Sequence, residues 1–119
     1  MKLFHITTEK NLQNILQNGL IPFRGLGLAR KEHQKYFEKT FGYVVFLTDN
    51  VEAIATKQDG DAWIRENKAV VIELDVDEKL VKQKTSNHTG EPTLCANEFL
   101  HTGSISQTCI VSRYFLSHR

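Results

Sequence analysis

The first twenty residues constrain the fold most, because a strand, a helix and a helix stop follow one another within them. Residues 3–7 predict a short first strand. Apolar residues then recur at the spacing of one helical face, at Leu12, Ile15, Leu16 and Leu20. Thr7 or Thr8 can cap this helix through its side-chain oxygen. Gly19 suits the left-handed position that ends a helix, and Pro22 prevents its continuation.

Apolar runs further along the chain predict more strands. Residues 43–48 are almost continuously apolar, which is typical of a strand covered on both faces. In residues 70–76 apolar and acidic side chains alternate, so we expect one wet face. Residues 98–105 and 109–116 predict the last two strands, with a kink or bulge at Gly103.

The remaining segments predict short helices and loops around these strands. Residues 31–40 predict a short polar helix, and Asp49 or Asn50 can cap another. The polar residues 82–92 predict a surface loop. Strands and helices do not alternate steadily, so the order of elements favours an α+β fold. With 119 residues, the chain has the usual size of a single domain, here residues 1–119.

Composition restricts the class of protein. Fifteen basic and 14 acidic residues give a formal net charge of +1, which lacks the basic excess of a general nucleic-acid binder but leaves a local basic patch possible. Neither a signal peptide nor a stretch of roughly 20 apolar residues is present. Cys95 and Cys109 lack CxxC spacing, so reduced thiols are favoured over a disulfide. The histidines show no zinc-site spacing. We expect a cytoplasmic protein without a metal.

Side chains on or near strand ends are the candidates for chemistry. His5 and Thr7 lie on the first strand, Phe46 and Thr48 on the second, and Glu98 opens a late strand. Polar groups at strand ends converge easily on one cleft, where a carboxylate can act as a base or stabilise positive charge. Each position also has an ordinary structural interpretation, as a strand histidine, a core aromatic, a helix cap or a solvated carboxylate.

In order and spacing, these segments resemble the ADP-ribosyltransferase superfamily. The strand Leu3-Phe4-His5-Ile6-Thr7-Thr8 and the helix ending in Gly19-Leu20 are similar to the opening of that family. Residues 44–49 resemble its second motif, a strand with an aromatic residue before a helix, and residues 97–110 resemble the segment with the catalytic glutamate. The pattern looks more like the DNA-directed ADP-ribosyltransferase toxins than like RNA 2′-phosphotransferases or antibiotic-modifying relatives. The resemblance implies a mixed, split β-sheet flanked by short helices.

The resemblance also implies a role for each residue, with NAD as co-substrate. Glu98 would be catalytic and would hydrogen-bond the 2′-hydroxyl of the nicotinamide ribose. His5 would hydrogen-bond the ribose on the adenosine side, and the adjoining backbone at Ile6 and Thr7 would hold the nicotinamide amide. Phe46, a tyrosine in many relatives, would pack on the nicotinamide ring. A fixed carboxylate suits this reaction because bond cleavage develops positive charge on the ribose.

Several further positions bear on the cofactor and the acceptor. Thr48 belongs to the implied cofactor-binding set, and Arg24, Arg30 and Lys31 would contact the two phosphates. Arginine-directed relatives often carry Gln or Glu two residues before the catalytic glutamate. Ala96 occupies that position here, which argues against an arginine acceptor. The resemblance therefore favours nucleic acid as the acceptor, with protein and small molecules as alternatives.

Two other functions remain open from the sequence. The protein could bind NAD, ADP-ribose or nucleic acid without turnover, or it could be an NAD glycohydrolase that uses water as the acceptor. Nicotinamide release separates an enzyme from a binding module, and free ADP-ribose as the sole second product identifies a hydrolase. A toxin or defence-related role acting on DNA is implied by the resemblance alone.

Overall fold

The computed structural model of this chain describes residues 1–22, 42–52, 68–83 and 98–116. The predicted helix at residues 31–40 and the greater part of the predicted loop 82–92 lie outside these ranges. The elements described over their whole length are one α-helix and six strands, which are β1 (Lys2–Thr8), α1 (Glu9–Asn18), β2 (Val44–Thr48), β3 (Ala69–Asp75), β4 (Val81–Gln83), β5 (Glu98–Thr102) and β6 (Ile110–Phe115). Short 3₁₀ turns at Glu78–Leu80 and Gln107–Cys109 precede β4 and β6.

The six strands form one sheet in the order β4-β5-β2-β1-β3-β6. All the described pairings are antiparallel. The predicted α+β class is therefore confirmed, but the sheet is antiparallel where we predicted a mixed one. The described helix, α1, has ten residues, and within the described ranges no helix is long and apolar enough to cross a membrane.

Helix α1 packs on one face of the sheet and closes the main core. Its Ile15 contacts a cluster of buried strand residues, Leu3, Val45, Leu47, Val70, Ile72 and Leu74. Val76, Leu20 and Ile105 complete this cluster. Leu20 and Ile105 also form an isolated antiparallel bridge just beyond the helix. Gly19 has a φ of 78°, and its N–H donates to the carbonyl of Ile15 at 2.8 Å. The predicted strand, helix and glycine stop are confirmed.

The start of α1 differs from the prediction. Thr8 occupies the N-cap position, but its side chain makes no capping hydrogen bond. Thr8 is also the last residue of β1 and pairs with Ala69 of β3. Because the chain passes from strand to helix without a loop, the N–H of Glu9 instead donates to the carbonyl of Lys68, at 3.1 Å.

Strand burial agrees with the prediction for β2 and only in part for β3. Both faces of β2 are covered, as predicted. In β3 the alternation appears only towards the end, because residues 70–72 are all buried. On the face away from α1, Ile6 and Leu116 pack against Ala69, so the beginning of β3 is covered on both sides.

Two strand boundaries also differ. Lys82 and Gln83 were predicted in a loop, but they form an edge strand with β5. The strand predicted through Ile105 ends at Thr102, because Gly103 turns the chain with a φ of 81°. The N–H of Gly103 donates to the carbonyl of Tyr43 at 2.7 Å. Polar edge residues carry little apolar alternation, which is why the sequence pattern missed β4.

Candidate active site at the split in the sheet

The sheet consists of two halves that meet at a single residue pair. β1 pairs with β3 over its whole length, and β2 does the same with β5. β1 and β2 are paired at Phe4 and Thr48, near the start of one strand and the end of the other. From Ile6 to Thr8, β1 has no ladder pair with β2 among the described residues. A strand edge of this kind presents backbone N–H and C=O groups to a ligand.

His5 bridges the two halves beside that pair. Its Nδ1 lies 2.9 Å from the backbone carbonyl oxygen of Phe46, and the side chain is half-buried. A carbonyl oxygen only accepts hydrogen bonds, so Nδ1 must be the donor. In the neutral ring, Nε2 is therefore the nitrogen with the lone pair. The predicted site residues His5 and Phe46 are thus brought into direct contact.

Thr48 links the centre of the sheet to the turn that follows β2. It pairs with Phe4 on one side and with Glu98 on the other, so these three residues occupy consecutive positions across three strands. The Thr48 hydroxyl accepts from the N–H of Asn50 at 3.0 Å and donates to the Asn50 carbonyl at 3.1 Å. This buried threonine therefore closes a turn, which is a structural role beside its predicted role in NAD binding.

The predicted residues are divided between the two faces of the sheet. Residues directly opposite each other share a face, so Phe4 and Thr48 project on the same side, as does Phe46 by alternation. His5 and Thr7 alternate onto the side that carries α1. The observed link between the two groups is the hydrogen bond from His5 Nδ1 to the main-chain carbonyl of Phe46. Thr7 is buried, and Ile6 packs with Ala69 on the face away from α1.

An open groove lies next to this centre on the face away from α1. It encloses about 410 Å³ and is lined by Phe4, Asp49, Asn50, Val51, Glu52, Tyr114, Phe115 and Leu116. None of these described lining residues is basic, so this part of the groove does not favour phosphate. Tyr114 and Phe115 are partly exposed aromatic side chains on β6. The sequence predicts only a strand for these two residues, because a short apolar run by itself gives no sign of a groove.

The predicted phosphate-binding residues lie outside the described ranges. These are Arg24, Arg30 and Lys31, and the same holds for Cys95 and for Ala96, whose identity bears on the acceptor. Cys109 is a free, half-buried thiol that packs against the main core. Glu98 is described through its backbone, as the first residue of β5.

No protein-family model matches this sequence, and no curated protein matches it. A functional argument therefore depends on the residues and on their arrangement around the split.

Proposed function

We propose that this protein is an NAD-dependent ADP-ribosyltransferase that cleaves the nicotinamide–ribose bond and transfers ADP-ribose to an acceptor, with nucleic acid favoured. One observation carries the proposal: the ladder between β1 and β2 has a single pair, beside His5, and Glu98 lies in the sheet opposite Thr48. The strands that carry the proposed NAD contacts are neighbours in the sheet, in the order β5, β2 and β1.

The split offers groups that suit the nicotinamide end of NAD. From Ile6 to Thr8, the β1 edge facing β2 has no ladder pair with β2 in the described part of the chain, and the backbone N–H and C=O groups of such an edge can pair with a carboxamide. Phe46, a half-buried residue of β2, supplies an aromatic ring for stacking. Under this proposal, Ile6 and Thr7 contribute backbone contacts, and Arg24 and Arg30 contact the phosphates.

The proposed reaction needs one carboxylate and a well-placed acceptor. The bond between nicotinamide nitrogen and ribose carbon breaks, and its electron pair leaves with neutral nicotinamide. Glu98, held to the ribose 2′-hydroxyl, stabilises the positive charge that develops on the sugar. A lone pair of the acceptor then forms the new bond to that carbon, and the acceptor loses a proton to water. Holding the acceptor close contributes through positioning.

The test is nicotinamide release from NAD by the wild-type protein and by Glu98→Gln, with single-stranded DNA, RNA or a protein mixture. Glu78→Gln is the matched control, because Glu78 is an exposed glutamate in a 3₁₀ turn. We expect release by wild type and Glu78→Gln, and a loss of at least about 100-fold in Glu98→Gln, the scale on which removing one transition-state contact acts. Circular dichroism checks that each variant is folded.

The products distinguish the proposal from its alternatives. Labelled ADP-ribose attached to one acceptor class identifies a transferase and its substrate. Free ADP-ribose in every condition identifies an NAD glycohydrolase. NAD binding by a folded protein without nicotinamide release contradicts the enzyme and supports a binding module.

A further inference from the structure

We propose that His5 is a positioning residue, which holds β2 against β1 across the split and so sets where Phe46 and Glu98 lie. The hydrogen bond from His5 Nδ1 to the Phe46 carbonyl is observed in the sheet and does not depend on the proposed function. Its consequence for catalysis rests on the proposed function.

The argument begins with how the two halves of the sheet are attached. The main-chain ladder between β1 and β2 consists of the pair Phe4 and Thr48. Within the described ranges, this one pair is the whole of the main-chain ladder that β1 gives to β2. The hydrogen bond of 2.9 Å from His5 Nδ1 to the Phe46 carbonyl adds a second attachment, two residues along β2. Together with the bridge between Leu20 and Ile105, which fastens the segment after β5 to the end of α1, this bond limits how far β2 can shift against β1.

The second step is that β2 carries the other site residues with it. β2 pairs with β5 at each of its five residues, from Val44 opposite Thr102 to Thr48 opposite Glu98. β2 and β5 therefore move as one unit. Any change at the His5–Phe46 bond shifts Phe46 and the Glu98 backbone together, relative to the β1 edge proposed to hold nicotinamide.

The catalytic consequence follows from the sensitivity of positioned groups. A displacement of about 1 Å between a catalytic group and its substrate can lower the rate on the order of 100-fold. Loss of the His5–Phe46 bond is expected to act mainly on kcat, because it misplaces Glu98. Loss of a direct contact between His5 and NAD is expected to act mainly on KM, since such a contact is made in the ground state as well.

Two substitutions separate these effects, because Asn and Gln imitate different nitrogens of the imidazole. The amide nitrogen of Asn is as many bonds from Cα as Nδ1 is, and the amide nitrogen of Gln is as many as Nε2. His5→Asn therefore keeps a donor for the Phe46 carbonyl, while His5→Gln removes it and places an amide near the position of Nε2. We expect a raised KM in His5→Asn, which has no group at the position of Nε2, and a kcat for His5→Asn at least roughly tenfold above that for His5→Gln.

His101 provides the matched control. Its Nδ1 lies 3.1 Å from the carbonyl oxygen of Gly103, so it also donates to a backbone carbonyl, but within a turn at the end of β5. His101→Asn and His101→Gln measure what the loss of such a bond does to the fold in general. We expect this pair to differ in stability and not to reproduce the large kcat difference of the His5 pair.

Two measurements test the bond without any enzymatic activity. Nitrogen NMR of the wild-type protein should show His5 with hydrogen on Nδ1. Amide hydrogen exchange in β2 should be faster in His5→Gln than in His5→Asn. These results stand even if no nicotinamide is released, so failure of the proposed function and failure of this inference are distinguishable. A neutral ring with hydrogen on Nε2 alone, or a kcat for His5→Gln that equals or exceeds that for His5→Asn, overturns the proposal.

Discussion

Gly19 packs against the main chain of Ile105 so closely that a Cβ atom at position 19 would overlap the Ile105 carbonyl oxygen. The next residue, Leu20, exchanges two backbone hydrogen bonds of 2.8 Å with Ile105. Gly19 itself has a φ of 78° and a ψ of −171°, a conformation essentially confined to glycine. The end of α1 is thus fastened to the segment that follows β5.

This contact predicts a large cost for Gly19→Ala. The substitution combines an unfavourable backbone conformation with a steric overlap against backbone, so we expect a loss of about 2–4 kcal/mol in the free energy of unfolding. Urea denaturation measures it. Gly103→Ala is the matched control, because Gly103 has a φ of 81° and nothing within 4 Å of an added Cβ. We expect about 1–2 kcal/mol there. Equal losses in both variants contradict the packing argument.

Glu73 predicts a dependence of stability on pH. Its carboxylate accepts a hydrogen bond from Ser112 Oγ at 3.0 Å and lies 3.1 Å from Lys2 Nζ. The hydrogen bonds from Lys2 and Ser112 hold the pKa of Glu73 below the ordinary value of a glutamate side chain. The folded protein therefore favours the charged carboxylate more than the unfolded chain does. This stabilisation is present above the unfolded pKa and is lost as pH falls through the folded pKa.

The comparison is between wild type and Glu73→Gln in urea denaturation at several pH values. Wild type should be more stable at neutral pH, and the difference should shrink as the solution becomes more acidic than the unfolded pKa. Ser112→Ala, which removes one of the two donors, should show a smaller difference with the same pH trend. A difference that stays constant down to the lowest pH argues against a charged Glu73 as the cause.

Two substitutions at Thr48 separate the effect of its hydroxyl group on stability from the effect of its side-chain shape. Thr48→Ser keeps the oxygen that bonds Asn50, while Thr48→Val keeps the shape and loses both bonds. We expect a loss of about 1–2 kcal/mol in the free energy of unfolding for Val and less for Ser. Calorimetric titration with NAD then tests the second role. If Thr48→Val binds NAD like wild type while less stable, the residue acts on the turn alone.

The proposed stacking on the nicotinamide ring requires an aromatic ring at Phe46 and does not require a hydroxyl group there. Under the proposed function, Phe46→Leu loses ring stacking worth about 0.5–1.5 kcal/mol, which raises the Kd for NAD roughly 2- to 10-fold. Phe46→Tyr should keep the wild-type Kd. Tyr43→Leu, just before β2 and 61% exposed, is the aromatic control. A Kd unchanged in Phe46→Leu shows that the ring does not touch the cofactor.

Local sequence patterns predicted the elements whose conformation depends mainly on residues close together in the sequence. The strand and helix of residues 3–18 and the stop at Gly19 follow from spacing and backbone preference, and the structure has them. The apolar run of β2 likewise indicated burial on both faces. These patterns failed where the structure of a segment depends on residues that are distant in the sequence and adjacent in the fold. β4 is too polar to alternate and forms because β5 offers an edge, and the start of β3 is buried on its second face because Ile6 and Leu116 cover it.

The sequence by itself determined the α+β class and identified His5, Phe46, Thr48 and Glu98 as candidates. Both follow from the order of apolar and polar side chains along the chain, which indicates strand ends and helical periodicity. Only the tertiary structure decided that β1 and β2 are paired at one residue pair and that His5 Nδ1 bonds the Phe46 carbonyl. It also decided that Thr48 pairs with Phe4 on one side and with Glu98 on the other. These relationships join residues more than 40 positions apart. They depend on strand order and register, which arise from the packing of the whole sheet.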